Sequence, residues 1–525
     1  MTGKPWQAFV PMGGSGQRFL AAGHVLPKPM LDVDGQPMLA HVLADLAGCE
    51  RLICAVRAEH LTTTGIADAI RALRPDATIV PVPAHKDGPV RTLLDAAHAI
   101  DPELPLLVHY ADYATGWNFQ HFRAWVAEHG WDAALDAYTG AMPHLGGATR
   151  YAGLRTDGER VLEIREKHCF APTLREGWHS AGSYWVRRAG DLLEAAEAVV
   201  QADARVAGEW FVSTALGHLV AQGMATGRFP LEFFHQWGTP DDLRTWRMWH
   251  DGLARLDAQR AAAAQSSSRS VQLVLMAGRG QRFVAEGERV PKPFVPVAGR
   301  PMVAQGLALL PRPRARVVVV RAAHAPLLPS LDLADPPLDV VALEGITAGQ
   351  AISADLGLAR VPVGIPVLIA PCDAGHVFDL ARWQALEARD DLDLVVFTAP
   401  WHQPAHWNPS GYGWADVAPD GRVRAIAVKQ PVPGVPLAAQ HVLTGQFWAP
   451  DAAGLRVAIA DLIGADERVN GEFYLDSVAR RLVARGARVW AMPVDLWLSW
   501  GTPQELADFS YWNALFRAGR SMGTP

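Results

Sequence analysis

A set of short motifs occurs twice in this chain, in one order and at a nearly constant offset, and that repetition limits the fold more than any other feature. Gly14-Ser15-Gly16-Gln17-Arg18-Phe19 returns as Gly278-Arg279-Gly280-Gln281-Arg282-Phe283, and Pro27-Lys28-Pro29 returns as Pro291-Lys292-Pro293. Further on, Gly208-Glu209 pairs with Gly471-Glu472, and Trp237-Gly238-Thr239-Pro240 pairs with Trp500-Gly501-Thr502-Pro503. Four markers in register mean two copies of one fold within 525 residues. Residues 261–270 carry four alanines and then Gln265-Ser266-Ser267-Ser268, a composition that neither packs nor alternates. It predicts a linker over 256–270, between domains of 1–255 and 271–525.

Each half opens with a short apolar run, 8–10 or 271–275, that enters the glycine-rich segment directly, as a buried strand feeding a turn does. Apolar residues at helical spacing follow over 38–46 and 302–310, then further short apolar runs over 52–56 and 317–320. Strand, helix and strand in alternation predict an α/β fold with a largely parallel sheet and helices on both faces.

Hydrophobic residues at 50% against 19% charged exclude disorder as the main state. The net charge of −6 arises from 48 Lys and Arg against 54 Asp and Glu, which gives no electrostatic footprint for nucleic acid or an anionic membrane surface. Cys49, Cys54, Cys169 and Cys372 form no Cys-x-x-Cys pair, so a reducing, cytoplasmic location is expected. The longest uncharged stretch, 430–450, is interrupted by Pro431, Pro433, Pro436, Gln440 and His441, so no membrane span is expected. The N-terminal apolar run stops at Gly13, too early for a signal-peptide core.

In an open α/β sheet the ligand sits beyond the carboxyl ends of the strands, which directs attention to the loop after the first strand of each half. Gly13, Gly14 and Gly16 in one copy, and Gly278 and Gly280 in the other, let backbone amides approach a phosphate, while Arg18 and Arg282 offer a planar fork of donors. A polyphosphate is the ligand such loops suit. The dinucleotide fingerprint is excluded because Phe19 and Phe283 stand where it needs a third glycine, and no Gly-Lys-Ser or Gly-Lys-Thr is present.

Met12-Gly13-Gly14-Ser15-Gly16-Gln17-Arg18 followed by Pro27-Lys28-Pro29-Met30 resembles the sugar nucleotidyltransferase family, and the second copy differs chiefly by Ala277 for the first glycine. The resemblance implies two tandem Rossmann-like (GT-A-like) nucleotidyltransferase domains with mixed, mostly parallel central sheets. It implies that Gly88 and Gly349 lie against a nucleotide base, and that Asp112 and Asp373, each closing an apolar run, hold Mg²⁺. Glu166 with Lys167 is similar to the family's Glu-Lys that meets the sugar phosphate, and Lys429 is its counterpart in the second half. Gly182 and Gly445 match its glycine-plus-aromatic strand, and Glu209 and Glu472 its sugar-hydroxyl acid. The substrates implied are a nucleoside triphosphate and a sugar 1-phosphate, and the implied setting is surface polysaccharide or glycoconjugate synthesis.

Chemistry supports this set independently. A phosphate nucleophile is already anionic near neutral pH, since its second pKa is about 6, so no general base is required. The protein must bring two polyanions together and neutralise the leaving group, which Arg18, Lys28, Asp112 and Lys167, or Arg282, Lys292, Asp373 and Lys429, with a divalent metal, can do. Alone, an Asp after a strand is as often a helix cap and a Lys a solvated surface residue; order and repetition favour the site. His109, His121, His168 and His235 show no metal-ligand spacing, the nineteen tryptophans suit cores, and Trp117 beside Asn118 is a candidate border of a site.

The chain departs from the family where a second metal-binding Asp is common, since Gln236 and Ser499 stand there, and where Val428 replaces Glu166. One half as the catalyst and the other as a specialised or regulatory copy is one reading. A glycosyltransferase of the related fold, and a nucleotide-sugar-binding protein without turnover, are the alternatives. The two halves allow an intramolecular pseudo-dimer or a homo-oligomer.

Overall fold

A computed structural model describes residues 4–517 other than Thr149 and Ala334. The chain divides into two compact units between Arg247 and Met248. In the first, the strands Thr78–Val82, Arg51–Arg57, Gln7–Met12 and Leu106–His109 lie side by side in parallel. Trp178–Val186 runs antiparallel to the last of these, and Ala133–Tyr138, Thr226–Pro230, Arg160–Arg165 and Gly153–Asp157 continue the nine-stranded sheet. The central strands are buried on both faces, which is why Phe9, Val10, Ile53, Cys54, Leu107 and Val108 read as unbroken apolar runs.

The second unit repeats this plan. Leu338–Leu343, Ala315–Arg321, Val271–Met276 and Val367–Pro371 form its parallel block, and His441–Ala449 is the antiparallel neighbour. The α/β class and the mixed sheets follow the sequence expectation, and in both units the loop after the first strand leaves the sheet at its carboxyl end.

The linker expectation fails. One helix, Pro240–Gln265, runs through the alanines, with Ala263 fully buried and the Gln259 amide donating to the carbonyls of Leu309 and His376. Ser270 donates to Glu387 at 2.5 Å, so the serines beyond the helix are held as well. Alanine has the highest helix propensity of all residues, and an alanine run extends a helix that already exists.

Candidate active site

The glycine-rich loop of each unit ends in a left-handed turn, with φ of 61° at Gly16 and 61° at Gly280, which starts the short helices Gln17–Ala21 and Gln281–Ala285. A β-carbon at either residue would be strained there. The loop places Arg18 and Arg282 at the surface of the cleft, exposed, and neither guanidinium has a hydrogen bond or ion pair among the described residues.

Both lysines of the Pro-Lys-Pro segments turn inward. Lys28 Nζ donates to Asp112 Oδ2 at 2.6 Å and to the Gly238 carbonyl at 3.1 Å. Lys292 Nζ makes the same two bonds, to Asp373 Oδ2 at 2.5 Å and to the Gly501 carbonyl at 2.9 Å. The amine thus ties the carboxylate after the fourth strand to the Trp-Gly-Thr-Pro turn, in both units alike. Burial pushes the Asp373 carboxyl up, but Lys292 beside it prevails and holds it below the ordinary range.

Two cavities meet at this point in the first unit. One, of about 710 Å³, is lined by the glycine loop, Arg57, His85, Gly88 and Glu209. The other, of about 720 Å³, is lined by Tyr110, Tyr113, Tyr151, Tyr184 and Phe234 with Arg150, Glu166, Lys167 and Gly182. Arg18, Lys28, Asp112 and Gly238 belong to both. The arrangement can hold one anion against the loop and a second in the tyrosine-lined cavity, with cations and a carboxylate at the junction.

Lys167 and Lys429 share an unusual backbone, with φ of 53° and 56°. Lys167 Nζ stands 4.9 Å from the centre of the Phe211 ring, and Lys429 Nζ stands 5.5 Å from that of Tyr474 while donating to the Gly411 carbonyl at 2.5 Å. Glu166 is pushed upward by burial, against the pull of a 2.5 Å hydrogen bond from Ser213 Oγ. Glu209 lines the loop-side cavity and is absent from the tyrosine-lined one.

Gly88 and Gly349 have a packing reason for being glycine. A β-carbon on Gly88, at φ 94°, would lie 2.6 Å from the Trp210 carbonyl oxygen, and one on Gly349, at φ 138°, would lie 2.4 Å from the Phe473 nitrogen. Each lets the segment that carries Glu209 or Glu472 approach the loop. Gly182, at φ 123°, sits against Tyr110 and Tyr113 in the tyrosine-lined cavity, whereas a β-carbon on Gly445 would meet open space. Gly14 and Gly278 likewise face open space, as an amide loop awaiting a ligand does.

Gln236 does not act as a free ligand. It accepts from Tyr151 Oη and donates to Asp242 Oδ1 at 2.9 Å, while Asp242 Oδ2 accepts from Thr239 N at 2.8 Å and Thr239 Oγ1 at 2.7 Å. Asp242 is therefore engaged at both oxygens, closing a capping arrangement at the start of Pro240–Gln265. In the second unit the longer Glu505 accepts directly from Tyr412 Oη at 3.1 Å, so Ser499 has nothing to bridge.

Asp112 suits a magnesium ion. It keeps one carboxylate oxygen clear of Lys28, faces the cavity junction, and is a hard oxygen donor. No cluster of three or more His, Cys, Asp or Glu that could hold a metal occurs among the described residues. Asp373 has the same setting in the second unit.

Sequence reasoning placed Tyr151 and Tyr184 on strands of the site but missed Tyr110 and Tyr113 as lining residues, and Arg150 and Asp242 with them. Four of the eight tyrosines in the chain line one cavity, and that concentration in the first half was the available signal. Trp117 does not border the site: its indole donates to the Asp45 carbonyl at 3.1 Å and stacks on Phe122, while Asn118 caps the helix Phe119–His129. Among the described residues no helix is long and apolar enough to cross a membrane.

A family model described as the MobA-like NTP transferase domain matches residues 8–206 and again 272–420. The bifunctional protein GlmU of Clavibacter sepedonicus is 28% identical over 236 residues, covering 43% of this chain and 45% of that protein. The protein of the same name from Xanthomonas campestris pv. campestris (strain B100) is 26% identical over 212 residues, covering 40% of this chain and 44% of its own. The chain thus spans less than half the length of the curated relatives it matches. Among solved structures, a nucleoside-diphosphate-sugar pyrophosphorylase from Vibrio cholerae RC9 aligns at 20% identity with a TM-score of 0.38, covering 46% of this chain and 98% of that one.

Proposed function

Since the chain belongs to the MobA-like NTP transferase family, with both units matched, we propose that it transfers a nucleotidyl group from a nucleoside triphosphate to a sugar 1-phosphate, releasing pyrophosphate. The observation that carries this reading is the lysine–aspartate–turn arrangement at the junction of two cavities: Lys28, Asp112 and Gly238, repeated as Lys292, Asp373 and Gly501. The loop amides and Arg18 receive the triphosphate, and Lys167 and Arg150 receive the phosphate of the acceptor in the tyrosine-lined cavity. Lys28 orients Asp112 and supplies positive charge where the two anions meet. Bound Mg²⁺, held by Asp112 or Asp373, would add charge neutralisation at the phosphates. A cytoplasmic role in making nucleotide sugars for surface polysaccharide or other glycoconjugates is part of the proposal.

Pyrophosphate release from each of the four common triphosphates, measured with hexose 1-phosphates and Mg²⁺, tests it. Arg18→Ala with Arg282→Ala should lower turnover on the order of 10²-fold or more; undiminished turnover in that double variant would overturn the reading. The closed Tyr151–Gln236–Asp242 network favours a second reading, a nucleotide-sugar-binding protein, which tight binding without turnover of any triphosphate would support.

A further inference from the structure

The two units differ, at and beside positions that line the tyrosine-lined cavity of the first, by a set of changes that belong together. In the first, Glu166 stands directly before the left-handed Lys167, and Ser213, in the first turn of the helix Val212–Ala221, donates to it at 2.5 Å. In the second, the position before the left-handed Lys429 is Val428, only 5% exposed. The carboxylate is therefore lost from the residue that follows the strand. It returns on the helix: Asp476 occupies in Leu475–Ala484 the place that Ser213 has in its own helix.

A third residue changes with them. Ala152 follows Tyr151 and lines the tyrosine-lined cavity; in the second unit Gly413 follows Tyr412. A β-carbon on Gly413 would lie 2.3 Å from Asp476 Oδ2, so alanine at this place would force the Asp476 carboxylate to move. Glu166, Ser213 and Ala152 have become Val428, Asp476 and Gly413, and one carboxylate is kept.

Asp476 accepts no hydrogen bond among the described residues, although Lys429 is its electrostatic neighbour. Asp476 is only half-buried, so its carboxylate keeps access to solvent and has hydrogen-bonding capacity to offer a ligand. Lys429, whose Nζ stands 5.5 Å from the centre of the Tyr474 ring, is the neighbour that Asp476 and Arg282 share, so a cation pair for a phosphate and a carboxylate for a hydroxyl stand on either side of one lysine.

Resting on the function proposed above, we propose that Asp476 is the acceptor-binding carboxylate of the second unit, receiving a hydroxyl of a sugar phosphate whose phosphate meets Lys429 and Arg282. The second unit is then a working acceptor site, and its acid approaches from the helix where that of the first approaches from the residue after the strand. Different acceptor preferences in the two units follow.

The test uses the full chain with the first unit silenced by Arg18→Ala and Lys167→Ala, assayed for pyrophosphate release with glucose 1-phosphate, mannose 1-phosphate and N-acetylglucosamine 1-phosphate. Adding Asp476→Asn should lower kcat/KM for the acceptor at least tenfold and leave the KM of the triphosphate unchanged. The combined exchange Val428→Glu, Asp476→Ser and Gly413→Ala should recover turnover. Turnover within twofold after Asp476→Asn, an equal rise in both KM values, or a silenced chain that is inactive while the unaltered chain is active would each overturn the inference. An unaltered chain without turnover would remove the proposed function itself, and this inference with it.

Discussion

Thr92 stands so close to Gly13 that a β-carbon on the glycine would lie 2.7 Å from its Oγ1 and 3.3 Å from its methyl group. In the second unit Ala277 occupies the glycine position, and Ser353, at the matching place in Gln350–Leu358, has no methyl group and is free to turn its hydroxyl to Thr347 Oγ1 at 2.7 Å. Gly13→Ala alone should destabilise the chain by about 1–3 kcal/mol, and adding Thr92→Ser should return at least half of that. Chemical denaturation of the two single variants and the double variant measures the coupling; additive effects would show that the two sites do not interact.

Lys28 acts through a compact amine that reaches two oxygens on different segments. Lys28→Ala should reduce pyrophosphate release on the order of 10²-fold or more, and Lys28→Arg should not restore it, because a planar fork cannot replace a point charge between Asp112 and the Gly238 carbonyl. Stability should change by less than about 1 kcal/mol, since the Asp112 side chain is 36% exposed. Steady-state kinetics beside thermal unfolding separates the two effects.

The repeat and the glycine loops were legible in the sequence because each is carried by short, ordered motifs, whereas the pairing of Lys28 with Asp112 and of Lys292 with Asp373 was not, because the partners stand 84 and 81 residues apart. Residues 261–264 were misread because alanine suits a helix as well as a linker, and nothing local shows that Gln259 has carbonyls to bond. The tyrosine-lined cavity draws on Tyr110, Tyr151 and Tyr184 from separate strands and loops, so only folding brings them together. That Glu209 lines the loop-side cavity was not legible, because its motif marks a position in the chain and leaves open which of two adjoining cavities the side chain enters. Asp476 was invisible for a related reason: Val428 looks like a lost acid until the strand and the helix lie side by side.

Burial pushes the Asp476 carboxyl up to about 6, with Lys429 pulling it the other way, against an ordinary value of 3.8. An acid whose pKa rises on folding loses folded-state stability as pH climbs from its unfolded to its folded value. Asp476 should therefore cost nothing below about pH 4 and on the order of 2–3 kcal/mol above about pH 6. Asp476→Asn should unfold at a higher temperature than the unaltered chain at pH 7.5, with the gap closing by pH 4. A gap independent of pH would contradict the shift.

Lys167 holds a left-handed backbone that costs a non-glycine residue roughly 1 kcal/mol, with φ of 53°. Lys167→Gly should therefore keep or raise the unfolding temperature while turnover in the first unit falls. Lys167→Ala should lose the same turnover without that relief, so comparing the two by calorimetry isolates the backbone contribution.

The matched substitutions between the halves bear on how such a chain can be rebuilt. Moving alanine into position 13 without a serine at 92 introduces a clash, and moving aspartate into position 213 beside Glu166 sets two acids against one lysine. A chimaera made one residue at a time passes through crippled intermediates, whereas one made cluster by cluster exchanges finished parts.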